Sequence, residues 1–168
     1  MAGIDFDGIG DEIRKLEAIG SSKTFVKLSK KAVFKGSAVV ALQIRKNIEA
    51  LPTEPNRFLR DGDKFNVFTE TNKQDLLSGL GISKIKEGDG GVYTQIGFAG
   101  YGSPETATKS YPNGLPNALI ARSVERGTSV RRKRAFVKPA IKAAEKSAEA
   151  AMQQSFEDDI NQIMKGFD

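Results

Sequence analysis

The spacing of apolar and polar positions divides the chain into stretches of helical period, stretches of strand period, and two long stretches with neither. Gly8 to Ile19 places Ile9, Ile13 and Leu16 three or four residues apart, on one face of a short amphipathic helix, and Gly20 follows as a C-terminal stop. Ser21 or Ser22 can then cap a longer helix reaching about Ala50 and ended by Pro52. Its stripe runs Val33, Ser37, Val40, Ile44, Ile48 and Leu51. A second apolar set, Phe25, Leu28, Ala32, Val39 and Leu42, lies partly off that stripe, so the helix is expected to be covered on more than one side. A central core helix satisfies this, and so does a core helix shared with a neighbouring subunit.

Residues 52–75 turn polar and irregular and are expected to form a loop, with one short strand near Phe65, Val67 and Phe68. Gly79 to Lys86 alternates, Gly88 to Gly91 reads as a tight turn, and Val92 to Phe98 completes a predicted hairpin. The run from Ala99 to Pro116 is rich in glycine, proline and small polar residues and predicts a second long, exposed loop. Asn117 to Arg126 has a short helical pattern that Gly127 stops. The strongest periodic signal comes last: Ile141, Ala144, Ala148, Met152, Phe156, Ile160 and Ile163 fall on one stripe, with Pro139 acceptable in the first turn. At 1.5 Å per residue that helix spans roughly 40 Å. The expected architecture is one α+β domain over 1–168, a small, mostly antiparallel sheet with the long central helix and the long C-terminal helix packed on it.

Composition narrows the chemistry. The chain has 168 residues, 39% hydrophobic and 28% charged, which suits one soluble domain with a genuine core. No apolar run approaches the roughly 18 residues of a membrane span. The opening MAGIDFDGIGDEI lacks the basic and apolar regions of a secretory signal, so the expected compartment is the cytoplasm. Cysteine and histidine are both absent. That removes disulfides, thiolate metal sites, the cysteine nucleophile, the usual general base at neutral pH and the commonest transition-metal ligand. The expectation is a protein that is not an enzyme and takes no cofactor or metal.

Candidate sites follow from what remains. Gly97, Gly100 and Gly102 in GFAGYG lack the helix with lysine and serine or threonine that a phosphate loop requires, and read as a flexible loop. Asp61 with Asp63 lacks the alternation of a calcium loop, and Glu157 to Asp159 reads as the polar face of a helix. The net charge is +5, with lysines clustered from Lys23 to Lys35 and four consecutive cations at Arg131, Arg132, Lys133 and Arg134. Such a run is either a solvated loop or a surface facing an electronegative partner, an acidic subunit or DNA. Interleaved aromatic residues for base stacking are missing from this run, Phe136 being the one aromatic nearby.

Two segments resemble a known family. Asn117-Ala-Leu-Ile-Ala-Arg-Ser-Val-Glu-Arg-Gly-Thr-Ser, the basic run, and Ala135-Phe-Val-Lys-Pro-Ala-Ile together resemble the pattern "V-E-x-G-T-S, then F-V/L-x-P-A" of phage head-tail joining and tail-completion proteins, which are minor tail proteins of long-tailed phages similar to the lambda Z type and to tail-terminator-like neck proteins. The opening Asp7-Gly-Ile-Gly-Asp-Glu-Ile-Arg-Lys-Leu is also similar. The chain departs from the family at the junction usually written T-G-x-L-x-x-S-I, where it has Ser78-Gly-Leu-Gly-Ile-Ser, and in a longer insertion from Thr53 to Lys73.

The resemblance implies an α+β virion protein that forms a ring, taken as hexameric, at the neck or head-proximal end of the tail. It would meet connector, tail-tube or terminator proteins, and genome DNA could pass through its channel. Interaction residues implied on this basis are Glu125, Arg126, Arg131, Arg132, Lys133 and Arg134, and structural anchors are Gly127, Thr128, Phe136 and Pro139. The alternative reading, of a different class, is a small basic nucleic-acid-binding module using Lys23 to Lys35 and the arginine run.

Overall fold

A computed structural model describes residues 20, 22–54, 67–88, 91–128 and 131–165. The first predicted helix, Phe65, and Asp61 with Asp63 lie outside these residues. Gly20, the expected stop, has helical backbone, and its neighbours on both sides lie outside the described residues. The order of elements is α1 (Ser22–Glu49), α2 (Glu70–Gly79), β1 (Leu80–Ile82), β2 (Lys86–Gly88), β3 (Gly91–Tyr93), β4 (Ile96–Phe98), a single 3₁₀ turn at Pro104–Thr106, α3 (Asn117–Arg126) and α4 (Val137–Lys165). This is an α+β fold dominated by its two long helices. Among the described residues no helix is long and apolar enough to cross a membrane.

The strands form one antiparallel ribbon. β1 pairs with β4, Leu80 opposite Phe98 and Ile82 opposite Ile96, and β2 pairs with β3, Lys86 opposite Tyr93. Three residues on one strand, Ser83 to Ile85, lie opposite two on the other, Thr94 and Gln95, and the extra residue is a bulge that separates the two ladders. The bulge is bonded rather than frayed: the Ser83 amide donates to the Gln95 carbonyl at 2.8 Å and the Thr94 hydroxyl to the Ser83 carbonyl at 2.8 Å. Leu80, Ile82, Ile96 and Phe98 share the half-buried face, as strand period requires.

Within the loop expected over 52–75 a helix begins at Glu70, and it runs on to Gly79. Thr69 caps it, its hydroxyl accepting the Asn72 amide at 3.2 Å, and Leu76 turns wholly inward. Val67 and Phe68 are not a strand; Phe68 is a core residue whose carbonyl accepts the Glu54 amide at 2.9 Å. The 99–116 loop is likewise tied down. Gly102 donates to the Leu115 carbonyl at 2.7 Å, Thr106 accepts the Leu115 amide at 2.9 Å, and Asp75 of α2 accepts the Ser103 amide at 2.9 Å.

The core gathers Ile44 and Ile48 of α1, Phe68, Leu76, Ile120, Ala121, Val124, Phe136 and Ala140. Around it the ends of α1 and α4 meet α2, α3 and the ribbon; this is the head. Beyond the head, α1 and α4 run on together as an antiparallel helical hairpin, the most extensive contact between elements. The ribbon meets α1, α2 and α3, and α4 packs chiefly along α1. Within the hairpin the helices approach closely: a Cβ at Gly36 would meet the Met152 side chain and come within 3.2 Å of the Ala148 carbonyl oxygen. Ala32, Ser37, Ala144 and Ala148 are buried beside it. The buried row of α4 is Ala140, Ala144, Ala148, Ser155 and Asp159, rotated from the predicted stripe, so Ile141 is 48% exposed and Met152, Phe156 and Ile160 are half-buried. Small residues facing α1 select that rotation, because bulk at those positions would hold the helices apart.

Candidate functional site

Both pieces of sequence that resemble the phage pattern meet at the joint between α3 and α4. α3 ends at Gly127, whose φ of 74° is available to glycine with little strain and whose amide closes on the Ser123 carbonyl at 3.0 Å. A Cβ there would come within 3.0 Å of Lys133. Thr128 accepts the Arg131 amide through its hydroxyl at 2.9 Å and donates its own amide to the Arg131 carbonyl at 2.9 Å, closing a small loop; Ser129 and Val130 lie outside the described residues.

One turn back on α3, Glu125 reaches across this loop. Its carboxylate accepts the amides of Phe136, Val137 and Lys138 at 2.7, 2.8 and 3.1 Å. These are first-turn donors of α4, which no helical carbonyl can satisfy. Glu125 therefore caps α4 from a different helix, and its negative charge complements the positive end of the α4 dipole. Partial burial raises its pKa, but the three amides and Lys133 outweigh that and hold the group below the ordinary glutamate value. Phe136 is buried, edge-on to Phe98 with ring centroids 5.9 Å apart, and its carbonyl accepts from Asn47 of α1 at 3.0 Å. Pro139 sits exposed in the first turn of α4, where its missing amide costs nothing.

The run of four cations does not act as one charged surface. Arg131 is 6% exposed: its guanidinium donates to the Ser123 hydroxyl at 2.7 Å and to the Val67 carbonyl at 3.0 Å, stitching α3 to the segment that precedes α2. Burial, and then the neighbouring charge of Arg134, lower its pKa. Arg134 donates to the Pro52 carbonyl at 2.8 Å and pairs with Glu54, fastening the chain that leaves α1. Only Arg132 and Lys133 point to solvent, beside the exposed Arg126. The expectation that all four face a partner is thus corrected for Arg131, which is withdrawn into the head, and Arg134 is engaged within the chain. The physical reason is that carbonyls left unpaired where a loop enters and leaves the head are satisfied by the planar, multiply donating guanidinium.

The other basic cluster lies on the hairpin. Lys23, Lys27, Lys31 and Lys35 are exposed on α1; Lys31 pairs with the buried Asp159 of α4, and Lys30 with Glu87 at 2.5 Å. A cleft of about 520 Å³ between the helices is lined by Thr24, Lys27, Leu28, Lys31, Asp159, Gln162 and Ile163. Glu157 and Asp158 are exposed, as a polar helix face predicts, but Asp159 is not: it turns toward α1, where Lys31 pairs with it, and is 6% exposed. Among the described residues there is no group of three or more acidic side chains close enough to hold a metal ion. Nothing in the sequence flagged Asn47, Ser123 or Val67 as parts of the joint, because each acts through a long-range partner. No known protein family, curated protein or solved structure matches this chain.

Proposed function

We propose that the protein is a structural, non-enzymatic virion component of a long-tailed bacteriophage, a tail-completion or head-tail joining protein that assembles as a ring at the neck or head-proximal end of the tail. The supporting observation is the Glu125 carboxylate on the Phe136, Val137 and Lys138 amides. It makes one mechanical joint from two short segments that resemble the tail-completion pattern. The pattern on this reading encodes shape: it fixes where α4 leaves the head, and so where the helical hairpin points. On the same reading the chain is made in the host cytoplasm and resides in the virion, its partners being copies of itself and the neighbouring neck or tail proteins.

The test is electron microscopy of particles assembled without the protein. Full heads and finished tails that fail to join, and that join when it is added back, are the expected result; normal infectious particles would overturn the proposal. The nucleic-acid reading keeps one favourable observation, the exposed lysines of α1. It predicts DNA binding whose logarithm falls with the logarithm of salt by about 0.9 per phosphate contact.

A further inference from the structure

The distal parts of the two hairpin helices carry opposite charge. From Ser22 to Gly36, α1 has five lysines and no carboxylate, and its single acid is Glu49. From Ser147 to Met164, α4 has Glu149, Glu157, Asp158 and Asp159 and no cation. Side by side in one chain these charges could cancel, yet the pairing recorded between them is Lys31 with Asp159. Lys23, Lys27 and Lys35 on one helix and Glu149, Glu157 and Asp158 on the other are exposed, with no ion pair among the described residues. Amid the lysines stands Phe34, 51% exposed, one turn from Lys30 and Lys31 and next to Lys35. Among the described residues Lys30 and Lys31 are paired within the chain, but Lys27 and Lys35 are not, and an exposed aromatic ring beside such cations has the form of an anchor for an acidic partner.

We infer that this partner is a second copy of the chain: the α1 face bearing Lys23, Lys27, Phe34 and Lys35 docks against the distal, acidic half of its neighbour's α4, which carries Glu149, Glu157 and Asp158 around its exposed sides. The inference rests on the ring reading above and names its contact. Charge limits the symmetry. A two-fold contact of α1 with α1 would set lysine against lysine, and one of α4 with α4 would set carboxylate against carboxylate. Pairing α1 with α4 is attractive: made once between two copies it is head-to-tail and either propagates or closes into a ring, and made twice about a two-fold axis it ends as a dimer, which sedimentation separates from a ring.

Charge exchange tests it. Lys23→Glu with Lys27→Glu and Lys35→Glu makes one triple variant, and Glu149→Lys with Glu157→Lys and Asp158→Lys makes the other; Lys30 and Lys31 are left alone because they serve contacts within the chain. Association is read by sedimentation over a range of protein and salt concentrations and by copies incorporated per particle, with circular dichroism to confirm folding. Each triple variant alone should associate at least tenfold more weakly than the parent. An equimolar mixture of the two, and a single chain carrying all six exchanges, should both recover, and Phe34→Ala should weaken association without altering its salt dependence. If the folded triple variants assemble like the parent, or the mixture and the six-fold exchange fail to recover, this contact is wrong and the ring stands on another surface. A parent chain that is monomeric at every concentration and present singly in particles would remove the ring itself. Loss of DNA binding alone in the lysine variant would give the α1 face to nucleic acid instead.

Discussion

Around Phe68 and Phe136 the head is closed by bulky side chains less than 2% exposed, whereas along the distal hairpin the contact is made by Ala32, Gly36, Ser37, Ala144 and Ala148. In the head, apolar volume from five stretches of chain converges, and the polar groups caught between them are bonded by Arg131, Glu125 and Asn47. Among the described residues the two hairpin helices meet each other and, at β3, the ribbon, and large residues such as Phe25 and Phe156 stack edge-on at 5.7 Å while Phe25 stays 53% exposed. Burying apolar area scales with how many elements can surround a side chain. A two-helix structure offers one shared face, and what it cannot bury is left for another surface.

Mutations can break that contrast or sharpen it. The largest effect is expected at Phe136→Ala, which removes a side chain 1% exposed from the centre of the core and should cost about 3–5 kcal/mol in chemical denaturation; a loss under 1 kcal/mol would mean the head is not the stability centre. Arg131→Leu should follow, at about 2–3 kcal/mol, because it takes the guanidinium donor from the Val67 carbonyl inside the head and leaves the Ser123 hydroxyl with its bond to the Ile120 carbonyl alone. A neutral result would return Arg131 to the surface. Phe156→Ala on the half-buried hairpin should cost about 1–2 kcal/mol, a fraction of the full-burial penalty, and parity with Phe136→Ala would erase the distinction between the regions.

Smallest is Glu125→Gln, at about 1 kcal/mol, the usual worth of a helix cap. Because the folded pKa of Glu125 is lowered, its contribution is present at neutral pH and is lost as pH falls below the ordinary glutamate value and through the lowered one. Denaturation of parent and variant should therefore converge at low pH; a difference that persists there would show that the carboxylate charge is not what matters.

What could be read in the sequence follows the same division. α1, α3, α4 and the ribbon announce themselves by period, and Gly127 by its place after a periodic run. α2 hid because ETNKQDLLSG carries few apolar residues, and its signal was Thr69, a cap residue just before Glu70. The orientation of α4 was missed by a fraction of a turn: a large residue such as Ile141 looks more core-forming than Ala140, yet the close approach at Gly36 favours the alanines. The withdrawal of Arg131 left no local trace, since a run of cations reads as solvated and its acceptors lie on Ser123 and at Val67, 64 positions away. Charge on the hairpin, by contrast, was open to reading as separate clusters; only the antiparallel pairing of α1 with α4 sets them side by side.

The capping of α4 by Glu125 also works as a lever. α4 is 29 residues long and so extends about 43 Å from that joint. A tilt of about 5° at its base would sweep the far tip through about 4 Å, roughly seven-tenths of the rise of one helical turn. Angular stiffness at the joint thus sets the positional tolerance at the tip, and, on the contact proposed above, a proton or a substitution at one carboxylate would spoil alignment between copies while the fold itself remained intact.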